Sequence, residues 1–190
     1  MKIGLFFGSF NPIHIGHLII ANIMAENVDL NAVWFVVSPQ NPFKKSKTLL
    51  HEFDRLDMVE MAISDNPKLK AIDIEFHMPK PSYTIDTLTV LQEKHPQHKF
   101  RLIIGEDNLD QFMRWKNADK ILEYFGLYVY PRPGAVKNEL LHHPKVTVVE
   151  APLLDISATY IRNRIREYKS VKYLVPERVE HYIAQKKFYL

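Results

Sequence analysis

Short apolar runs alternate along the chain with stretches whose apolar residues recur at helical spacing. The runs predict buried strands, because a continuous apolar segment of roughly four to eight residues fits a strand that is covered on both faces. The stretches between them predict helices. The predicted strands span residues 3–7, 33–37, 71–76, 100–104, 127–130 and 146–149, and the predicted helices span residues 18–24, 56–63, 83–92, 158–167 and 177–187.

This alternation favours an α/β fold in which a mostly parallel sheet carries helices on both faces. No internal repeat or linker divides the sequence, so we predict a single doubly wound domain over residues 1–190. Ligands of such sheets bind beyond the carboxyl ends of the strands. The search for a site therefore narrows to the segments that follow strands, at residues 8–17, 38–47, 105–115 and 155–166.

Composition and charge limit the class of protein. The 190 residues are 46% hydrophobic and 25% charged, and the absence of cysteine excludes disulfides and thiolate metal sites. The sequence shows neither a signal peptide nor an apolar run near the roughly 20 residues of a membrane span, so we expect a cytoplasmic protein without a membrane partner. From residue 160 onward the sequence contains eight Lys and Arg residues but only three Glu residues. This surplus suits an anionic ligand or nucleic acid, and equally an ordinary solvated helix face.

The decapeptide GSFNPIHIGH after the first strand combines features that suit phosphate. Gly8 permits a sharp turn and a close approach to a ligand, and Pro12 stiffens the turn before the helix. His14 and His17 lie three residues apart at the helix start and can face one site, while Gly16 leaves room beside them. Paired histidines can also ligate zinc, but no cysteine or nearby carboxylate completes a ligand set. The helix N-terminus, with its free N–H groups, favours an anion.

A second segment, DISATYIR, opens the basic helix near residue 158. Ser157 is predicted to cap the helix. Arg162 lies three residues beyond Thr159, so the guanidinium and the hydroxyl share a face. Hydroxyls, helix N–H groups and an arginine together can cradle phosphates. An ordinary capped helix explains this segment equally well when it is taken alone.

Together the two segments resemble a known superfamily. HIGH resembles the HxGH signature of nucleotidyltransferases, which class I aminoacyl-tRNA synthetases share, and GSFNPIHIGH resembles the opening of bacterial nicotinate-nucleotide adenylyltransferases, with Phe7 where a glycine is usual. DISATYIR resembles their ISSTxIR motif, with Ala158 in place of the second serine. The resemblance implies a Rossmann-like nucleotidyltransferase domain with C-terminal helices. It also implies an ATP site formed by Gly8, Ser9, Phe10, His17, Gly105, Asp107, Ile156, Ser157, Thr159 and Arg162, with catalytic roles for His14, His17, Lys44 and Arg162.

Three further segments extend the resemblance. GEDNL with the later Phe and Trp resembles the GxDxLxxFxxW segment, in which Asp107 would contact a ribose and Trp115 would stack on a pyridine ring. SYTIDTL resembles the SYTxDTL segment, in which Thr84 and the adjoining backbone would help hold a nicotinate carboxylate and Tyr83 would be a further substrate contact, although a capped helix start also explains it. Arg132, in an RPG segment, is a candidate anion contact on the substrate. Lys44 stands in a PFK sequence where the family has Pro-His-Lys or Pro-His-Arg, and the role of the loop at residues 41–47 stays undefined.

The implied reaction is attack by the 5′-phosphate of nicotinate mononucleotide on the α-phosphate of ATP, with release of pyrophosphate. Mg²⁺ would be bound through the ATP phosphates and needs no dedicated protein ligands. The alternatives are another phosphorylated acceptor, such as nicotinamide mononucleotide or phosphopantetheine, and, from a different class, a non-catalytic nucleotide sensor or RNA-binding module. We expect ATP and nicotinate mononucleotide as partners and no nucleic acid. The sequence leaves open whether the chain forms a homo-oligomer.

Overall fold

The computed structural model describes residues 1–40, 48–134 and 138–190. Within these ranges six strands form one sheet whose neighbouring strands all run parallel. The strands are β1 (Lys2–Gly8), β2 (Ala32–Val37), β3 (Leu69–Ile72), β4 (Lys99–Gly105), β5 (Leu127–Tyr130) and β6 (Val146–Val148). The helices are α1 (Ile15–Asn27), α2 (Glu52–Ile63), α3 (Thr84–Lys94), α4 (Glu106–Phe112), α5 (Ala118–Tyr124), α6 (Ala158–Arg166) and α7 (Glu177–Lys186). Short 3₁₀ helices span Ile74–His77 and Glu139–His142.

The strand order is β3-β2-β1-β4-β5-β6. The chain therefore adds β2 and β3 on one side of β1, and then β4, β5 and β6 on the other side. Next to β1, the connections after β1 and β4 leave the sheet in opposite directions. In doubly wound sheets this switch point opens a crevice beyond the strand ends, where ligands bind. The predicted doubly wound sheet is thereby confirmed, and the described strands are all parallel rather than mostly so.

Apolar side chains of β1 to β5 alternate between two cores, one on each face of the sheet, whereas β6 buries only Val146. In β1, Leu5 packs into the core beneath α3, α4 and α5, whereas Phe6 packs into the core beneath α1, α2, α6 and α7. Both residues are buried. Coverage of both faces explains why the strands are continuous apolar runs rather than alternating ones. Among the described residues, no helix combines the length and the apolar character that crossing a bilayer requires.

Apart from shifted element ends and an unpredicted 3₁₀ helix at Glu139–His142, the structure differs from the predicted elements in two places. The predicted strand at residues 71–76 ends at Ile72, and Ile74–His77 forms a 3₁₀ helix instead. The turn directs the buried carboxylate of Glu75 towards Ser82 and Thr87, whose hydroxyls donate to it at 2.9 and 2.7 Å. The second difference is that α4 and α5, of seven residues each, were not predicted, because so short a segment gives little helical periodicity.

Candidate active site

Two adjoining cavities open at the carboxyl edge of the sheet. The histidine cavity is lined by the predicted ATP residues other than Gly105, together with His14, Asn11, Leu49 and Arg132. The tryptophan cavity is lined by Tyr83, Thr84, Trp115, Gly105, Glu75, Ser82, Ser38, Gln40 and Lys116. The two share a wall formed by Phe6, Phe7, Gly8, Ser9, Asn108 and Tyr130. A ligand in one cavity therefore lies next to a ligand in the other.

His14 and His17 stand together at the start of α1. Their rings stack with centroids 3.7 Å apart and planes inclined by 24°. The His14 backbone N–H donates to His17 Nδ1 at 3.3 Å, so Nδ1 is the acceptor nitrogen and Nε2 carries the proton. A Cβ at Gly16 would lie 3.1 Å from His14 Nδ1, which shows that the room at Gly16 is filled by the His14 ring. His14 Nδ1 is buried and has no hydrogen-bond partner within the described ranges.

Both histidines are held neutral by their surroundings. Burial, aided by the charge of Arg132, lowers the pKa of His14 to about 4. The pKa of His17 is lowered well below its ordinary value by burial, by the neighbouring His14 and by Arg132. At neutral pH each ring therefore offers one N–H donor without a positive charge. Among the described residues that line this cavity, the positive charge comes from Arg132 and Arg162.

Gly8, Phe10 and the shared wall support the His17 ring. Phe10 is buried, and its ring packs edge-on against His17 at a centroid distance of 5.1 Å. The ring of Phe6 contacts His17 from another side, at 6.0 Å. A Cβ at Gly8 would lie 2.8 Å from the Phe10 ring, so only glycine fits there. Burial raises the pKa of Tyr130 to about 12, which keeps the shared wall uncharged.

The start of α6 forms the opposite side of the histidine cavity. Ser157 Oγ accepts the Tyr160 N–H at 3.2 Å, which confirms the predicted cap. Arg162 Nη2 donates to Thr159 Oγ1 at 3.1 Å, so the predicted shared face is present, and Nη1 donates to the Asn11 carbonyl at 2.8 Å. The latter bond joins α6 to the loop that follows β1. In the described part of the chain, the buried Arg162 Nε has no partner.

Asp107 and Arg132 form the third side of the histidine cavity. Asp107 lies in the first turn of α4, and its Oδ1 is 3.8 Å from Arg132 Nε. A Cβ at Gly105, the last residue of β4, would lie 3.0 Å from Arg132 Cγ, so glycine lets the arginine cross the strand end. Arg132, predicted as a contact of the second substrate, thus lines the cavity that also holds the histidines.

The tryptophan cavity is built around the N-terminus of α3. Tyr83 occupies the N-cap position without a side-chain cap bond, and Thr84 begins the helix; both line the cavity. The Asp86 N–H donates to the Tyr83 carbonyl at 3.0 Å, so the N–H groups of Thr84 and Ile85 are the ones at the helix start without an intrahelical acceptor.

Trp115 is partly exposed in the tryptophan cavity and packs against Phe112 with a centroid distance of 5.5 Å. Lys116 Nζ lies 4.9 Å from the centre of the Tyr83 ring. Lys116 Nζ also donates to both carboxylate oxygens of Asp86, at 3.0 and 2.8 Å, so its charge is already paired. The indole face and the helix N-terminus are the features that favour a flat anionic ligand.

Comparison with known proteins agrees with this geometry. A family model described as cytidylyltransferase-like matches residues 5–164. The chain is 64% identical to a "Probable nicotinate-nucleotide adenylyltransferase" of Cytophaga hutchinsonii, covering 100% of this chain and 98% of the relative, and 53% identical to one of Flavobacterium johnsoniae, covering 100% and 99%. This chain belongs to the nicotinate-nucleotide adenylyltransferase family. The family membership predicted from sequence is confirmed.

Solved structures show the same fold at low identity. The Plasmodium falciparum nicotinic acid mononucleotide adenylyltransferase complexed with NaAD superposes with a TM-score of 0.85 at 21% identity, covering 99% of this chain and 97% of that one. The same enzyme complexed with APC gives a TM-score of 0.83. The sheet and its helices thus form the nucleotidyltransferase arrangement that the sequence predicts.

Three residues in or next to the candidate site of this adenylyltransferase family member were not predicted from the sequence as site residues. Arg55 and Glu75 are charged and fully buried, and Asn11 is a buried amide within the first motif. Glu75 lines the tryptophan cavity, and Arg55 holds its wall residues Ser9 and Ser38 by their carbonyls. Asn11 stood inside a recognised motif, but no local pattern marks Arg55 or Glu75. Lys44, predicted as catalytic, lies outside the described residues, as does the rest of the loop at residues 41–47.

Proposed function

We propose that this chain transfers the adenylyl group of ATP to nicotinate mononucleotide, giving nicotinate adenine dinucleotide and pyrophosphate. The observation that carries the proposal is the pair of adjoining cavities, one suited to a triphosphate and the other to a flat aromatic acid, with Gly8 and Ser9 between them. The names of the relatives support the same reaction, as do the ligands of the Plasmodium falciparum structures.

ATP is assigned to the histidine cavity. The N–H groups at the start of α6, with Ser157 and Thr159, would bind phosphate oxygens, and Arg162 and Arg132 would supply positive charge. Asp107 would accept hydrogen bonds from the ribose hydroxyls, because its carboxylate lines the same cavity. In this assignment Arg132 leaves its long contact with Asp107 for the triphosphate.

Nicotinate mononucleotide is assigned to the tryptophan cavity. Its ring would stack on Trp115, and its carboxylate would accept hydrogen bonds from the first turn of α3 and from Thr84. Glu75 also lines this cavity, but both of its oxygens already accept hydroxyl hydrogens from Ser82 and Thr87. The carboxylate of the ligand would therefore meet the donors at the helix start.

The chemistry then reduces to alignment and neutralisation of charge. The phosphate of the acceptor is ionised at neutral pH, so it attacks the α-phosphate without a general base. The low pKa values of His14 and His17 fit hydrogen-bond donation to α-phosphate and pyrophosphate oxygens rather than proton transfer. Holding the acceptor phosphate and the α-phosphate next to each other at the shared wall lowers the barrier by proximity and orientation. The arginines would stabilise the departing pyrophosphate.

The triphosphate would bring Mg²⁺ with it. Residues 1–40, 48–134 and 138–190 contain no group of three His, Asp or Glu side chains arranged to hold a metal ion. Phosphate oxygens and water would therefore supply the ligands, which is how Mg²⁺ is commonly bound beside phosphates. The bound ion would neutralise part of the triphosphate charge.

A direct test incubates the purified chain with ATP, Mg²⁺ and nicotinate mononucleotide, and measures pyrophosphate and dinucleotide together. The proposal predicts that both form in equal amounts. Binding of ATP without either product would favour a nucleotide sensor. Faster product formation with nicotinamide mononucleotide or phosphopantetheine would retain adenylyl transfer but reassign the acceptor.

A further inference from the structure

We propose that Arg55, which lines neither cavity, is a positioning residue that sets the shape of both and the electrostatic potential beneath them. The inference rests on the proposed function, because it concerns how the two assigned substrates are held. Arg55 lies on α2 with its side chain fully buried.

The guanidinium group binds four backbone carbonyls from three segments of the chain. Nη1 donates to the Ser9 carbonyl at 2.6 Å and to the Ser38 carbonyl at 2.7 Å. Nη2 donates to the Pro39 carbonyl at 3.0 Å, and Nε donates to the Leu50 carbonyl at 3.0 Å. One side chain thus joins the loop after β1, the loop after β2 and the approach to α2.

These carbonyls belong to the walls of the cavities or lie next to them. Ser9 is part of the wall that both cavities share, and Ser38 lines the tryptophan cavity. Leu50 follows Leu49, which lines the histidine cavity. Loss of the guanidinium would remove the donor that holds the Ser9 and Ser38 carbonyls in place. Both cavity walls could then shift, so both substrates would lose part of their alignment.

A second set of bonds connects this clamp to Arg162. Asn11 Oδ1 accepts the Leu50 N–H at 3.3 Å and the Tyr189 hydroxyl at 2.9 Å. Both backbone groups of Leu50 are therefore fixed, the N–H by Asn11 and the carbonyl by Arg55. The Asn11 carbonyl in turn accepts from Arg162 Nη1. Movement of Leu50 would reach an arginine of the histidine cavity through two hydrogen bonds.

The charge of Arg55 also needs an explanation. Burying a cation is costly, and burial lowers the pKa of Arg55. None of the ion pairs found among the described residues includes Arg55. The Glu52 carboxylate acts on the pKa of Arg55 in the opposite direction to burial, but it forms none of those ion pairs with the guanidinium. The carbonyl dipoles bind the cation without cancelling its charge, so a net positive potential would remain close to Ser9. Such a potential favours the two phosphates that must meet at the shared wall.

The test compares Arg55→Lys and Arg55→Gln with Val59→Ala, which removes methyl groups from the buried core on the same helix. Arg55→Lys keeps the charge but cannot hold four carbonyls, and Arg55→Gln also removes the charge. Because a displacement of about 1 Å can cost on the order of 10²-fold, we expect kcat/KM to fall about that much in Arg55→Lys and further in Arg55→Gln. The KM values for ATP and for nicotinate mononucleotide should both rise. Val59→Ala should lower only the melting temperature.

The outcomes separate this inference from the proposed function. Trp115→Ala serves as a one-sided reference, since it should raise KM for the acceptor and leave KM for ATP unchanged. KM values in both Arg55 variants that match those of Val59→Ala would overturn the inference. Failure of both Arg55 variants to fold, with Val59→Ala folded, would make Arg55 a residue of the fold alone and overturn it as well. A wild-type chain that forms no dinucleotide would instead contradict the proposed function, and ATP affinity measured by calorimetry would still test Arg55.

Discussion

The two cavities share a wall but are built from different chemistry. The histidine cavity gathers Arg132, Arg162 and two neutral imidazoles between the start of α1 and the start of α6. The tryptophan cavity offers an indole face and the first turn of α3. The histidine cavity thus holds the groups that stabilise developing charge. The tryptophan cavity holds the groups that distinguish one ring substituent from another. Catalysis and acceptor choice should therefore respond to different substitutions.

The largest effect is expected from His17→Ala. Removing one positioned donor to the reacting phosphates typically costs about 10²- to 10³-fold in kcat. The melting temperature should fall by much less in proportion than turnover, because the His17 ring lines the cavity and only its contacts with Phe6, Phe10 and His14 are lost. His98→Ala is a matched control. His98 packs against Trp34 just before the amino end of β4, whereas the cavities lie at the carboxyl end of that strand. Near wild-type turnover in His17→Ala would remove His17 from the catalytic set.

Arg162→Lys should have the next largest effect, chiefly on kcat/KM for ATP. Lysine cannot bond Asn11 and Thr159 while also presenting a planar fork to phosphate. Loss of a charged hydrogen bond of about 1.5–3 kcal/mol corresponds to a decrease of roughly ten- to a hundredfold. Arg166→Lys on the same helix, where the side chain contacts Asn163, should leave steady-state kinetics unchanged. Equal behaviour of the two variants at limiting ATP would argue against a phosphate contact by Arg162.

Substitutions in the tryptophan cavity should act on the acceptor alone. Thr84→Val removes a hydroxyl donor, and we expect it to lower kcat/KM for nicotinate mononucleotide by about tenfold, with little change for the amide. Trp115→Ala should weaken use of both mononucleotides together, because either ring can stack on the indole. Steady-state kinetics with each acceptor at saturating ATP distinguish these patterns. A Thr84→Val variant that loses both acceptors equally would place its effect on the fold of α3.

The smallest effect concerns pH. A lowered pKa means that the folded chain binds a proton on His14 less readily than an unfolded chain does, so the ring stays neutral until the pH falls towards about 4. Imidazole resonances of His14 and His17 should therefore not titrate between neutral pH and about pH 5, whereas an unperturbed histidine titrates near 6.5. Folding stability contributed by the neutral rings is present above about pH 6.5 and is lost as the pH falls below it. A resonance of either ring that titrates near neutral pH would contradict the neutral pair.

The sequence predicted those parts of the molecule that depend on local patterns. The strands other than β3 follow from apolar segments, whereas the strand predicted at residues 71–76 overlaps β3 at Ala71 and Ile72 alone. The His14–His17 pair and the Ser157 cap follow from helical spacing. The 3₁₀ turn at Ile74–His77 was missed because Ile74 and Phe76 alternate as in a strand, while the deciding contacts of Glu75 come from α3 and its approach.

Long-range contacts explain what the sequence did not reveal about the site. Asn11 bonds Tyr189, 178 positions away, and Arg55 bonds Ser9, 46 positions away. No spacing rule connects residues so far apart, because only the folded sheet brings them together. Arg132 illustrates the same limit, since it was predicted as an anion contact on the acceptor substrate but lines the histidine cavity instead.

The most direct test of the division between the cavities measures kcat/KM for nicotinate mononucleotide and for its amide, first in the wild-type chain and then in His17→Ala, at the same ATP and Mg²⁺. We expect the wild type to prefer the acid by about tenfold or more, the value of one charged hydrogen bond. His17→Ala should slow both reactions and leave their ratio unchanged. A wild-type ratio near one, or a ratio that collapses in His17→Ala, would contradict the account.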